Sequence, residues 1–150
     1  MAVVRTLRAI PWRVRMEIVR VVAIALVVEL ALRRLPLPRV ARLLGVRIAA
    51  DRAESPLPDG PLPDVLTDAR RRREFDAAAR VMRHWPARRM CLRRSLVLGR
   101  LLRDLDPALR LGVARSDDGL LAHAWIEVAG VRLDSGEVRF VSLVQPDVGR

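Results

Sequence analysis

The sequence contains no lysine, asparagine or tyrosine, and its only cysteine is Cys91. A single cysteine cannot form a disulfide within the chain, and no short apolar segment is followed by a small-residue cleavage site, so nothing indicates secretion. These absences predict a protein of the reducing cytoplasm. His84 and His123 are the only histidines and lie far apart. We therefore expect no metal site and no other cofactor.

Aromatic residues are also scarce, with two Phe and three Trp in 150 residues. All 28 basic residues are Arg, against 17 acidic residues, which gives a formal net charge of +11. Such a charge would suit a nucleic acid, but the chain has no zinc-binding or RNA-binding motif and few rings to stack on bases. We expect no nucleic-acid partner. The charge stays compatible with an acidic peptide, an acidic protein or a membrane surface.

No apolar run is long enough to cross a membrane. The first predicted helix extends from Pro11 to Leu35, but its uncharged stretch is only Val21 to Val28, whereas a spanning helix needs roughly 20 apolar residues. We expect this helix to pack in the core. Contact between its arginine-flanked surface and a membrane is the alternative.

The chain length predicts one domain with one hydrophobic core. Residues 1–50 have mainly helical patterns, four prolines make residues 51–66 an extended linker or arm, and residues 67–150 combine helices with late strands. A helix begins near Asp68, and its Arg70–Arg73 run is interpreted as a solvated face. Helices followed by a small antiparallel sheet predict an α+β fold.

Cys91 lies in the first turn of a predicted leucine-rich helix that ends at Asp106-Pro107. A lone cysteine is by default a small buried hydrophobe. The first helical turn, however, presents N–H groups that lack acceptors within the helix, which favours a thiolate over a thiol. Nearby arginines add positive charge: Arg88, Arg89, Arg93 and Arg94. Cys91 is therefore a candidate nucleophile.

His123 lies in the first of two predicted strands that meet at Ala129-Gly130. If these two residues form the loop, Val128 pairs with Val131, and every second residue of the hairpin forms an apolar, core-facing side. His123 then shares the other face with Asp134, at a diagonal backbone separation of roughly 7–8 Å. In this register Asp134 can orient the imidazole.

Of two alternatives to this arrangement, distance excludes the first, because Glu127 is too far from His123 to orient the imidazole, and the second is open. Glu127 is a competing carboxylate, but it lies about 13 Å along the strand from His123, so its loss should cost little beyond a surface charge. A three-residue loop would move Asp134 to the opposite face of the hairpin.

The thiol, imidazole and carboxylate occur in the order Cys, His, Asp, an arrangement that a nucleophilic triad can adopt. The motifs "CLRRSL" and "HAWIEVAG", followed by an Asp, resemble the B2 proteins of lasso peptide biosynthesis, which are bacterial cysteine peptidases with a transglutaminase-like, papain-like fold. The close resemblance covers roughly residues 80–135. It implies a catalytic core at 67–150 with Cys91 as nucleophile, His123 as base and later acid, and Asp134 as orienter.

The resemblance also implies a substrate and partners. A B2 protein cleaves the leader peptide from a ribosomally synthesised lasso precursor, at the leader-core junction. A separate B1 protein presents the leader, and a macrolactam synthetase then closes the ring. Two other functions stay open: acyl transfer, in which an amine replaces water on the same fold, and a non-catalytic role as a basic helical interaction protein.

Overall fold

The computed structural model describes residues 12–49, 68–87, 90–116, 119–133 and 141–142. The proline-rich segment 51–66 and the predicted triad member Asp134 lie outside the described residues.

Helices make up most of the described N-terminal part, as the sequence predicts. They are α1 (Trp12–Arg34), α2 (Leu37–Leu44), α3 (Ala69–Arg83) and α4 (Met90–Leu101), followed by a 3-10 turn at Arg103–Leu105. The α-helix that contains Cys91 ends four residues earlier than the apolar pattern predicts. The chain then leaves the 3-10 turn through Asp106, whose φ of 46° is left-handed, and Pro107.

The sheet is formed by β1 (Arg47–Ile48), β2 (Ala108–Ser116), β3 (Gly119–Val128), β4 (Val131–Arg132) and β5 (Val141–Ser142). The order is β1-β2-β3-β4, and β5 pairs with β2 as well. The β2–β3, β3–β4 and β2–β5 pairs are antiparallel, but β1 pairs with β2 in parallel. The α+β fold is confirmed, whereas the expectation of a purely antiparallel sheet is wrong.

The parallel pair arises from the way α2 ends. Gly45 caps α2 in the left-handed conformation, with φ 71°, and its N–H donates to the carbonyl groups of Ala41 and Arg42. A residue with a Cβ is strained at this φ, so glycine favours the sharp exit. The next residues then run beside β2, where the Arg47 N–H donates to the Pro107 carbonyl at 2.9 Å.

The core lies between the helices and the sheet. The inner face of α1 is buried at Val21, Ala25, Val28 and Ala31, and the largest buried side chains elsewhere include Leu96, Leu102, Leu109 and Ile126. α1 packs against α3 and α4, which confirms its expected place in the core. Within the part of the chain that the structure describes, no helix has the uninterrupted apolar length that a membrane crossing requires.

Gly99 allows α4 to approach the sheet closely. A Cβ at this position would lie 2.6 Å from Cγ2 of Val46 and 3.1 Å from Cδ1 of Ile126. The first distance is shorter than any tolerable carbon contact, so a larger residue would force Val46 or α4 to move. The absence of a side chain at Gly99 therefore helps to fix the position of the helix that contains Cys91.

A buried ionic cluster joins three parts of the fold. Glu74 is only 1% exposed and accepts hydrogen bonds from Arg71 at 2.9 Å, from Arg20 of α1 at 2.9 Å and from Arg70 at 3.3 Å. Arg71 also donates to the Leu101 carbonyl at 3.0 Å and to Asp104. Burial acts to lower the pKa of Arg71, but hydrogen bonding and the charge of Glu74 outweigh it and raise that pKa.

The expectation that Arg70–Arg73 form a solvated face is therefore wrong for Arg71. Its side chain is 9% exposed because Glu74, one turn along α3, provides a buried negative charge for it. A run of identical charges indicates which side of a helix is polar, but it does not show which member reaches a buried partner.

Candidate functional site

A cavity of about 200 Å³ opens between α4 and the hairpin of β3 and β4. Its lining combines the predicted nucleophile and the predicted base with apolar and polar neighbours: Met90, Cys91, Arg94, Ser95, Leu98, His123, Ala124 and Leu133. The structure thus brings together Cys91 and His123, which are separated by 31 intervening residues in the sequence.

One face of α4 forms a wall of this cavity. Cys91, Arg94, Ser95 and Leu98 recur at spacings of three and four residues, which places them on the same side of a helix. Ser95 is buried, and its Oγ donates a hydrogen bond of 2.9 Å to the Ala124 carbonyl. This bond joins α4 to β3 one turn from Cys91 and one residue from His123, so it holds the two candidate residues in a fixed relation.

Cys91 is half-buried in the first turn of α4, as predicted. The N–H groups of a first turn have no acceptors within the helix, so they are available to a negative group in the cavity. Arg94 is exposed and lines the same cavity. Arg88 and Arg89 lie outside the described residues.

Arg93 is instead engaged with α1. Its Nε donates to Oε2 of Glu29 at 2.6 Å and its Nη2 to Oε1 at 3.4 Å, a two-pronged link between the two helices. The hydrogen bond from Arg93 is the largest influence on Glu29 and lowers its pKa, while the same bond raises the pKa of Arg93. The charge of Arg93 is therefore largely offset by Glu29, and Arg93 contributes less to the cavity than the sequence suggests.

The hairpin has the predicted register. Val128 pairs with Val131 and Glu127 with Arg132, so Ala129-Gly130 is a two-residue loop. Both loop residues have positive φ, 50° and 77°, as a type I′ turn requires. The alternative three-residue loop is excluded. The register continues to Leu133, whose N–H donates to the Ile126 carbonyl at 2.8 Å.

The face of β3 that includes His123 carries a buried polar network. The rings of His123 and Trp125 are stacked, with centroids 6.2 Å apart and an interplanar angle of 18°. Trp125 Nε1 donates to Oε1 of Glu127 at 3.0 Å, and Arg110 Nε donates to Oε2 at 2.8 Å. The Arg132 guanidinium lies over the Trp125 ring at 4.8 Å, a cation-π contact.

Glu127 is accordingly not a surface residue. Its side chain is 8% exposed, and that of its partner Arg110 is 9% exposed. The expectation that Glu127 is a surface charge is wrong, because Arg110 and Trp125 enclose its carboxylate on this face of the hairpin. The burial of Glu127 does not change the prediction that it is too far along the strand to act directly on His123. Its carboxylate instead contacts Trp125, the residue that stacks with His123.

Sequence reasoning missed several residues of this region. Ser95 has a detectable signal, since it follows Cys91 by four residues on the same helical face. Arg110 has none, because it meets Glu127 only through the pairing of β2 with β3, in which Ala108 lies opposite Glu127.

The comparisons with known proteins bear on this geometry. A family model described as the transglutaminase-like superfamily matches residues 6–144, nearly the whole chain. Separate searches find no match among curated proteins and none among solved structures. The matched superfamily is generally catalytic and includes cysteine peptidases and acyltransferases. The match of the family model includes both Cys91, at the start of a helix, and His123, on the adjoining strand. The chain therefore belongs to the transglutaminase-like superfamily.

Proposed function

We propose that this protein is a cytoplasmic cysteine peptidase with a papain-like core that removes the leader peptide from a lasso peptide precursor. The observation that carries the peptidase proposal is that Cys91, in the first turn of α4, and His123, on β3, line one cavity. The lasso precursor is proposed from the resemblance of residues 80–135, through the motifs around these two residues. Membership of a superfamily that includes cysteine peptidases supports the reaction class.

The proposed reaction begins with attack of the Cys91 thiolate on the scissile carbonyl carbon. The resulting oxyanion accepts hydrogen bonds from first-turn N–H groups of α4. Protonated His123 gives its proton to the departing amine as the C–N bond breaks, which leaves a thioester on Cys91. His123 then takes a proton from water, whose oxygen attacks the thioester, and the leader acid and the free thiol are released.

His123 must hold its ring toward Cys91 during both steps. Stacking on Trp125 restricts the imidazole from one side, and the bond from Trp125 to buried Glu127 fixes the indole in turn. Asp134 is proposed to accept a hydrogen bond from the imidazole and to select its productive tautomer. The observed register to Leu133, the residue before Asp134, supports this assignment.

The central experiment compares leader cleavage by variants of the two candidate residues. Purified chain is incubated with a lasso precursor and a leader-recognition partner, and the products are identified by mass. Cys91→Ala, Cys91→Ser and His123→Gln should each abolish cleavage without unfolding the chain, since thiol and imidazole take part in the chemistry. His84→Gln is the matched control, because His84 is an exposed residue at the end of α3 and should retain full activity.

Cleavage by Cys91→Ala at the wild-type rate would refute the proposal that Cys91 is the nucleophile of a cysteine peptidase. No cleavage by the wild type in the presence of its partner would favour the remaining alternative, a basic helical interaction protein. If product masses instead show the leader joined to an added amine, the enzyme is an acyltransferase that uses the same thioester.

The role proposed for Asp134 has its own test. Asp134→Asn should lower the cleavage rate by at least about a hundredfold, because the asparagine favours the wrong imidazole tautomer. Glu137→Gln removes an equal charge three residues later and should have little effect. Near wild-type cleavage by Asp134→Asn would leave Cys91 and His123 as a dyad.

The proposed partners follow from the same assignment. A separate B1 protein would present the leader, so it should raise the cleavage rate at limiting precursor, since binding energy is then available to position the scissile bond. The freed core peptide would pass to the macrolactam synthetase. Equal rates with and without the B1 protein would show that this chain recognises the leader itself.

A further inference from the structure

The outer surface of α1 carries an apolar stripe that the proposed reaction does not use. Six large side chains on this surface are each 49% to 69% exposed: Trp12, Met16, Val19, Leu26, Val27 and Leu30. With Ala23, which is also exposed, they define what we call the outer stripe. At about 100° per residue, the stripe is about 100° wide and about 27 Å long.

The opposite side of α1 is already buried. Val21, Ala25 and Val28 face the core, and Arg93 and Glu74 bind α1 through Glu29 and Arg20. The helix therefore cannot turn its outer stripe inward without breaking these contacts. Monomeric proteins rarely expose a contiguous apolar patch of this extent unless it meets a partner or a lipid.

Arginines lie along both edges of the outer stripe. On the helical wheel Arg15 and Arg33 border one edge, and Arg13 and Arg20 border the other. The two acidic residues of α1 lie nearer the core, where the Glu17 side chain is 25% and the Glu29 side chain 18% exposed. Both edges of the stripe therefore carry arginines, which is the pattern expected for contact with an anionic surface. Two of these arginines also pair with acidic residues, Arg20 with Glu17 and Glu74 and Arg33 with Glu29.

A second copy of this chain fits the stripe poorly. Two α1 helices joined along their stripes would bring the bordering arginines of one copy against those of the other, and each chain carries a net charge of +11. A lipid surface has no such conflict, because guanidinium groups can reach phosphates while their aliphatic stems lie along the apolar stripe.

We propose that α1 lies in the plane of an anionic membrane surface, with the outer stripe inserted among the acyl chains. Arg13 and Arg15, at opposite edges of the stripe, then contact lipid phosphates, and the rest of the chain stays on the aqueous side. This binding activity is separate from the proposed peptidase reaction and does not depend on it.

The experiment measures binding of the full chain to phosphatidylcholine vesicles with and without phosphatidylglycerol. The wild type should sediment with the anionic vesicles only, and emission from Trp12 should shift to the blue as its exposed indole enters lipid. Leu26→Gln with Leu30→Gln should weaken binding by roughly tenfold for each leucine. Leu43→Gln is the matched control, since Leu43 is 58% exposed on α2, outside the stripe, and should bind as wild type.

Because the chain is strongly basic, anionic vesicles alone do not establish the proposal. Unchanged binding of the Leu26→Gln/Leu30→Gln variant would overturn it and show that charge alone carries the contact. Equal binding to both vesicle types, or to neither, would overturn it as well. A dimer in solution that becomes monomeric in the double variant would also overturn the proposal. A protein partner that shields Trp12 from iodide quenching in the absence of vesicles would overturn it too. Circular dichroism confirms that the double variant is folded.

Discussion

Replacing Glu127 by glutamine perturbs the buried network beneath His123 while changing side-chain shape very little. The carbonyl oxygen of a glutamine can still accept from Trp125 Nε1, which bonds the wild-type carboxylate at 3.0 Å. The amide nitrogen, however, would face Arg110 Nε, which lies 2.8 Å from the second carboxylate oxygen. Two donors would then oppose each other, and the Arg110 charge would stay buried without its counter-charge.

The magnitude follows from burial. Side chains of Glu127 and Arg110 are 8% and 9% exposed, so solvent screens their pairing little. Breaking a buried pair by removing one partner costs about 3–5 kcal/mol. In a chain of this size that corresponds to a fall in Tm of about 6–20 °C. The free energy of unfolding is measured from urea titration followed by circular dichroism.

Asp76→Asn is the control for this measurement. Asp76 is an exposed carboxylate on α3, so its loss should change the free energy of unfolding by no more than about 0.5 kcal/mol. If Glu127→Gln is as stable as Asp76→Asn, the buried pairing with Arg110 does not exist in solution. Replacing Glu127 and Arg110 together by leucines should recover part of the loss, because no buried charge is then left unpaired.

Three further predictions concern other parts of the fold. Gly99→Ala should lower the free energy of unfolding by about 1–3 kcal/mol in a urea titration despite the better helix propensity of alanine, and Val46→Ala should recover part of it by clearing the contact at 2.6 Å. Glu29→Gln should be less stable than wild type at neutral pH. Arg93 lowers the pKa of folded Glu29 below its ordinary 4.5, so the difference in free energy of unfolding between the two proteins should be complete above pH 4.5 and should vanish as the pH falls through the folded pKa. A difference that stays constant with pH in paired urea titrations would contradict this prediction. Ala129→Asn should raise the free energy of unfolding by about 0.5–1 kcal/mol, because asparagine tolerates the φ of 50° better than alanine does; the measurement is a rise in Tm.

Local sequence patterns predicted the features of the site that depend on short-range geometry. The place of Cys91 in a first helical turn follows from the leucine spacing, and the hairpin register follows from a two-residue loop with glycine at its second position. Both are confirmed. Asp134 lies outside the described residues, so its role stays a prediction.

The remaining features depend on contacts between distant parts of the chain. Strand alternation shows that Glu127 and Ile126 face opposite ways, but it cannot show that both side chains are buried. The parallel strand β1 has only two residues and owes its position to the exit from α2 at Gly45. Arg71 looks like its neighbours in a run of four, and only the fold reveals the buried carboxylate that it reaches.

The two-pronged link from Arg93 to Glu29 has a consequence for how a peptide reaches the cavity. It ties the helix that carries Cys91 to α1 only two residues from the thiol, and the buried face of α1 packs against the same helix. A surface that binds α1 therefore also fixes the direction in which the cavity faces relative to that surface. The protein would diffuse along such a surface with its cavity held in one orientation relative to the surface. A substrate would then have to approach the cavity from that side.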